Sequence, residues 1–455
     1  MPSTDPSPLL TPTQLAELAE YVALPSISRD ADPEVMARTA AWLAAKFVAA
    51  DAVVRPTAGS PVVTGRVDGP PGAPTVLVYG HYDVQPTGDL AEWRTDPFTL
   101  TVLGDRAHGR GVTDDKGPVL VVLETLRGFL ADGGRPPVTV KLLLEGEEEI
   151  GSPHLAEFVR ANAEELACDL VISADGAQWR PTEPSLSLAS KGLVGLDVEV
   201  HGAERDLHSG RYGGTVANPV HALAALLASL HDAEGRITVP GFLDGVTDPT
   251  PAERAAAAAV VWDEQGYAAE LGLAEAGTFG EAGYSTLERL WFRPTLEVNG
   301  VSAGGRYTVI PHVATAHLTC RLVAGQDPDA VADAVRTHLE RTAPAGVTVR
   351  VTVEPGGVAA YAIAPDHPAV IAATAALAQV YPDEEVLHAR IGGTLPATVL
   401  FEQALGVKTL FFSFSIADEL LHAPNEFWRL RRYGEGVRAW TALWNGLATG
   451  LVPAP

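Results

Sequence analysis

Three short apolar runs constrain this chain more than any other feature: TVLVYG at 75–80, VTVKLLLE at 138–145 and CDLVISA at 168–174. Each is near-continuous in aliphatic and β-branched residues, as a strand buried on both faces must be. Such strands belong to a largely parallel sheet with helices on both sides. Between the first two lies GPVLVVLETLRGFLADGG, which reads as a helix ended by Gly133. Upstream, TPTQLAELAEYVALPSIS places Leu15, Leu18, Tyr21 and Val22 at helical spacing behind a Thr11 or Thr13 cap. DPEVMARTAAWLAAKFVAADA repeats that pattern. The expected fold class is α/β, with a mixed, mostly parallel sheet and flanking helices.

Near residue 190 the texture changes. GLVGLDVEVHG, TVIPHVATAHLTCRLV and GVTVRVTVEP alternate apolar and polar residues, with DPDAVADAVRTHLERTA as a helix between the last two. This pattern predicts an antiparallel sheet with helices on one face, inserted as a second α+β domain. From about 360 the first texture returns, in HPAVIAATAALAQVY, VKTLFFSF and GEGVRAWTALWNGLATGL. The expected division is 1–190 and 356–455 for the first domain and 191–355 for the second. A length of 455 residues suits two cores rather than one. The Ala- and Glu-rich stretch 251–290 has no role that the sequence reveals.

A formal net charge of −25 opposes a nucleic-acid partner and an anionic membrane surface. No apolar run approaches spanning length. MPSTDPSPLL lacks the basic and apolar regions of a signal peptide, so a cytoplasmic protein is expected. Cys168 and Cys320 form no CxxC, which removes thiolate zinc and redox motifs and leaves two buried thiols in a reducing compartment.

The chemistry lies in where the acids fall. His81 and Asp83 follow TVLVYG directly; Glu147, Glu148 and Glu149 follow KLLLEG; Asp175 follows LVIS. Ligands of parallel α/β sheets bind outside the carboxyl ends of the strands. Three strands therefore deliver metal-type ligands to one edge, which a solvated acidic loop does not explain. GRGVTDDKG adds Asp114 and Asp115 at a helix start, where a capping role is the simpler alternative, and ELLHAPNE adds His422. Asp83 is placed to hold the second ring nitrogen of His81.

Two histidines and three carboxylates hold two metal ions if one Asp bridges them. Imidazole and carboxylate without thiolate favour zinc, with manganese or cobalt as substitutes. Such a pair polarises a carbonyl and acidifies a water, and a spare carboxylate then carries the proton to the leaving amine. No HExxH occurs. GVSAG at 300–304 matches G-x-S-x-G but precedes an extended segment, so it reads as a loop rather than a nucleophile elbow.

With these motifs in place, the sequence resembles the di-zinc metallopeptidase family of carnosinases, aminoacylases, acetylornithine deacetylases and glutamate carboxypeptidases. The likeness is clearest over about 75–430 and strongest to the carnosinase-like dipeptidase branch. The resemblance implies His81 as a ligand oriented by Asp83, and Asp114 as the bridging ligand before a cis peptide bond. From EGEEEIGS it implies Glu148 as general base and Glu149 as ligand; VISADG and LLHAPNE supply Asp175 and His422. His81 would share one ion with Asp175, and Glu149 the other with His422.

The second domain is similar to the family's lid. DLHSGRYGGTVANP nominates His208, which in relatives reaches into the partner subunit's site, so the resemblance implies a homodimer. TVIP, CRLV and GGTLP nominate Thr308, Arg321, Gly393 and Thr394 for substrate contacts, with Arg321 and Thr394 at a carboxylate; relatives commonly have Ser at the position of Thr394. Lys191 stands where many relatives have Arg. The expected activity is hydrolysis of dipeptides or short peptides with a free C-terminal carboxylate. The alternatives are an N-acyl-amino-acid deacylase and a non-catalytic peptide-binding relative.

Overall fold

The computed structural model describes residues 10–273 and 280–451. The opening residues 1–9, on which the signal-peptide reading falls, and residues 274–279 of the Ala- and Glu-rich stretch lie outside the described residues. The chain divides into two compact units. The first comprises Met1–Leu188, Ile363–Ala389 and Pro396–Pro455, and the second Ala189–Ala362 and Arg390–Leu395. The division read from sequence placed the boundaries at 190 and 355; these units differ from it at 189–190, at 356–362 and in the short excursion Arg390–Leu395.

The three apolar runs form neighbouring parallel strands of a six-stranded sheet. Its order is Val53–Arg55, Val62–Val67, Thr139–Glu145, Thr75–His81, Leu170–Ser173, Thr409–Phe411. The last four run parallel, and an antiparallel pair closes one edge. Thr139–Glu145 is buried at every position, as a strand covered on both faces requires. On one face Leu77, Tyr79, Leu143 and Val171 pack with Leu155, Phe158, Val159 and Phe401 from the helices Leu155–Ala161 and Pro396–Leu405. Towards the other, a Cβ on Gly80 would lie 3.1 Å from Val119 of the helix Gly117–Leu130. That helix packs along Arg431–Gly450, which in turn lies against Pro368–Val380. It ends at Leu130, and Gly133 closes the following turn. Pro12–Val22 carries a full capping box between Thr11 and Gln14.

Register aligns the strand ends. His81 lies opposite Glu145, and Tyr79 opposite both Leu143 and Ser173. The segments after His81, Glu145 and Ser173 therefore leave the sheet at one edge.

The second unit is built on an antiparallel sheet in the order Thr295–Ala303, Val313–Leu322, Gly192–His201, Thr348–Val353. Helices Pro219–Ala228 and Pro328–Arg341 cover one face, burying Val194, Leu196, Val198, Leu318 and Cys320 against Leu223, Leu226, Val335 and Leu339. Strict alternation along Val313–Leu322 marks the half-covered strand. GVSAG, read as a loop, instead lies mostly in the edge strand, paired with Val313–Leu322 past a bulge between Val298 and Gly300. Among the described residues no helix is long and apolar enough to cross a membrane.

Candidate metal centre

Four acids crowd Glu145–Glu149, and the fold gives each a different task. Glu145 accepts hydrogen bonds from Tyr79 Oη at 2.6 Å and Ser152 Oγ at 2.8 Å. Glu147 accepts the Ser60 N–H at 3.1 Å and lies 2.8 Å from His154 Nδ1. Glu148 and Glu149 turn towards the strand ends instead. Their backbone N–H groups donate to the Asp83 carboxylate at 3.2 and 3.0 Å.

Asp83 was expected to hold the second ring nitrogen of His81 through its side chain. The nearest acceptor to His81 Nδ1 is instead the Asp83 backbone carbonyl at 3.0 Å, with a carboxylate oxygen at 3.4 Å. The same carboxylate also holds the Glu148–Glu149 turn. One residue thus orients both the histidine and the paired glutamates.

Two groups of donors gather beyond the sheet edge. In one, His81, Glu148 and Asp175 place a nitrogen or oxygen each within 4.8 Å of the others; in the second, Asp114, Glu149 and His422 do the same. Asp114 joins them, with Oδ1 3.1 Å from His81 Nε2 and Oδ2 3.0 Å from His422 Nε2. Glu149 Oε2 lies 3.1 Å from the same His422 nitrogen. The Asp114–Asp115 peptide bond is cis, and His422 takes a left-handed backbone conformation at φ 61°.

The electrostatics describe a nest short of positive charge. Burial raises Glu148 well above the usual carboxylate range, with Asp175 adding to it. Asp175 itself is pushed up to about 6, chiefly by burial. Burial opposes the charged form of His81, yet the Asp114 and Asp83 carboxylates hold it well above its ordinary value. His422 is raised to about 10 by its bonds to Asp114 and Glu149. Burial would raise Asp114, but both histidines bond to it and hold it below the usual range. Every donor is nitrogen or oxygen and none is a thiolate, a set that fits zinc or a similar divalent ion.

Two further buried carboxylates, Glu419 and Glu426, support this nest. Glu426 Oε1 accepts the backbone N–H groups of Thr113 at 3.1 Å and Asp114 at 3.4 Å. Its Oε2 accepts Gly111 N–H and Arg110 Nη1, both at 2.9 Å. Glu419 accepts Thr113 Oγ1 at 2.6 Å and Ile416 N–H at 3.0 Å. The Asp114 loop is thus laced to the segment that carries His422. A Glu426→Gln side chain would turn an NH2 donor towards N–H groups that need an acceptor. Metal affinity should fall by about 10–100-fold, as when other outer partners of ligands are lost. Competition with a chromogenic chelator measures it, and unchanged affinity would show the lacing to be dispensable.

The remaining nominated residues belong to the second unit. His208 is exposed and pairs across the sheet with Val309; its Nδ1 accepts the Gly210 N–H at 3.1 Å. Thr308 adjoins it, its carbonyl accepting the Ser209 N–H at 2.9 Å. Arg321 Nη1 donates to Thr394 Oγ1 at 3.0 Å, and Gly393 O accepts the Lys191 N–H at 2.9 Å. These five fall into two groups, His208 with Thr308 and Arg321 with Gly393 and Thr394.

The chain is similar to several known proteins. The sequence profile of Peptidase family M20/M25/M40 matches residues 77–446. The Cys-Gly metallodipeptidase dug1 of Schizosaccharomyces pombe is 32% identical over 405 residues, spanning 86% of this chain and 83% of the relative. The human Beta-Ala-His dipeptidase is 30% identical over 399 residues, 85% of this chain and 78% of the relative. Among solved structures, the M20 family metallo-carboxypeptidase Sso-CP2 from Sulfolobus solfataricus superposes with a TM-score of 0.82 at 30% identity, covering 96% of this chain and 99% of that one. Human carnosine dipeptidase 1 gives 0.76 at 28% identity, with 96% of each chain covered.

Proposed function

The chain belongs to peptidase family M20/M25/M40 and is a metal-dependent hydrolase of peptide bonds, and we propose that it cleaves free dipeptides at a dinuclear zinc site. The observation that carries this reading is Asp114 facing a histidine on each side, with one triplet of donors completed by Glu148 and Asp175 and the other by Glu149. His81 and Asp175 would hold one ion, Glu149 and His422 the other, and Asp114 both. Manganese or cobalt would satisfy the same donors. When bound, such ions polarise the scissile carbonyl and lower the pKa of a nearby water.

The protein's own contribution is proton transfer and placement. Glu148 takes the proton from the attacking water and delivers it to the departing amine. Asp83 holds the turn that aims it. Arg321, Gly393 and Thr394 receive the substrate carboxylate, and His208 with Thr308 contacts the reacting end. In this reading His208 serves the site of a second copy, so the working form is a homodimer. Its exposed position supports that role. Two unpaired cysteines support a cytoplasmic protein.

The deacylase alternative is not favoured, since two relatives matched over more than four fifths of the chain are dipeptidases. A non-catalytic role is opposed by the intact donor set. Metal-loaded protein should therefore release amine from Ala-Ala, Cys-Gly or β-Ala-His and not from the matching N-acetyl amino acids. Charged hydrogen bonds are worth about 1.5–3 kcal/mol, so a dipeptide amide should lose ~10–100-fold in kcat/KM against the acid. Arg321→Met should remove that preference. Faster turnover of acetylated substrates would move the protein to the deacylases, and faster turnover of longer peptides to the carboxypeptidases.

A further inference from the structure

The stretch 251–290 gains a role from what it touches. Within the second unit, Arg390–Leu395 is the short excursion that carries Gly393 and Thr394. Its glycines have little packing of their own. A Cβ on Gly392 would meet nothing within 4 Å, and one on Gly393 only Ile391 at 3.6 Å. Glycine-rich backbone without packing is entropically free, so its position must come from tethers.

Three contacts made by side chains or backbone of the second unit hold it, among others. Arg321 Nη1 donates to Thr394 Oγ1 at 3.0 Å, and the Lys191 N–H to Gly393 O at 2.9 Å. The third is Arg390, whose Nη2 lies 2.6 Å from Glu253 Oε1 and whose guanidinium sits 4.4 Å from the Phe292 ring centre. Glu253 is in the first turn of the helix Pro251–Ala259, and Phe292 ends the helix Thr286–Phe292. Arg254 ties the two helices through Glu288 at 2.6 Å, and Lys191 Nζ donates to the Arg293 carbonyl at 2.7 Å. A cavity of about 70 Å³, lined by Lys191, Asp248, Glu253, Phe292, Arg390 and Ile391, lies behind the loop. Arg390 and Ile391 also end the strand Leu387–Ile391 of a three-stranded sheet, so the backbone is held up to Ile391 and the ion pair acts where the strand gives way to Gly392 and Gly393.

The geometry points to Glu253 and Arg390 as positioning residues: the pair fixes the Gly393–Thr394 backbone for the substrate carboxylate, and so sets KM rather than turnover. This rests on the reading that Arg321 and Thr394 receive that carboxylate. Glu253 divides its oxygens. Oε2 accepts from Thr250 N–H at 2.8 Å and Oγ1 at 2.9 Å in a capping box, while Oε1 faces Arg390. Gln serves a capping box as well as Glu. Glu253→Gln therefore keeps the helix start but turns an NH2 donor onto a guanidinium. Thr250→Ala does the reverse, weakening the cap and sparing the pair.

Glu253→Gln and Arg390→Gln should each raise KM for dipeptide acids about 10-fold, with kcat within about 2-fold, and the double variant should be no worse than either. Dipeptide amides should show no change. Independently of activity, hydrogen–deuterium exchange over 390–395 should quicken in Glu253→Gln and not in Thr250→Ala. Unchanged KM and unchanged exchange, with Arg321→Met still raising KM, would overturn the proposal. If Arg321→Met leaves KM unaltered, the carboxylate reading fails instead, and exchange alone then decides whether the tether exists.

Discussion

Glu148→Gln should lower kcat by about 10³-fold, within the range that general acid–base groups contribute, and leave the metal content unchanged. Gln matches Glu in size and keeps an acceptor oxygen, so the turn held by Asp83 has no reason to shift. It cannot take up a proton. Both conditions matter, because Glu148 stands with His81 and Asp175 as a third donor within 4.8 Å, a place from which it could also ligate. Metal analysis beside the kinetics separates the two roles. Loss of activity with full metal content makes Glu148 the proton carrier. Loss of both would make it a ligand, and the base would have to be sought elsewhere in the nest. Wild-type kcat in the variant would end the assignment outright.

Much of this centre was legible because it obeys a local rule. Each strand is a continuous apolar run, and the rule that ligands lie past strand ends picks out His81, Asp83, Glu147, Glu148, Glu149 and Asp175 without any coordinates; the family resemblance then singles out Glu148 and Glu149. What was not legible is long-range or departs from pattern. Glu426 sits 312 residues from the Asp114 N–H it accepts, and nothing in a lone NE dipeptide announces that bond. The Asp83 carboxylate, read only as a partner of His81, also holds a turn 65 residues away, which sequence proximity does not announce. Thr295–Ala303 escaped notice because its Glu, Asn, Gly, Ser and Ala residues carry weak strand propensity, and its outer edge is unpaired in the sheet. The excursion Arg390–Leu395 into the second unit is a matter of chain path, on which composition is silent.

Asp114→Asn should have the widest effect of any ligand substitution, removing both ions rather than one. Loss of an outer partner alone costs about 10–100-fold in affinity or activity, so loss of a shared ligand should exceed ~100-fold in both. The reason lies in its two oxygens, one at 3.1 Å from His81 and the other at 3.0 Å from His422. A carboxylate offers a lone pair and half a negative charge in each direction. An amide offers an oxygen one way and a donor the other, and has no charge to offset the repulsion between neighbouring cations. Asp175→Asn and Glu149→Gln provide the contrast, since each belongs to one triplet only. Metal-to-protein ratios after dialysis should fall towards zero in Asp114→Asn and towards one in either single-triplet variant. A ratio near one in Asp114→Asn would mean that the triplets bind independently and that Asp114 serves only the one it completes with Glu149 and His422. Full occupancy would remove Asp114 from the ligand set altogether, leaving its contacts with the two histidines as hydrogen bonds of the metal-free protein.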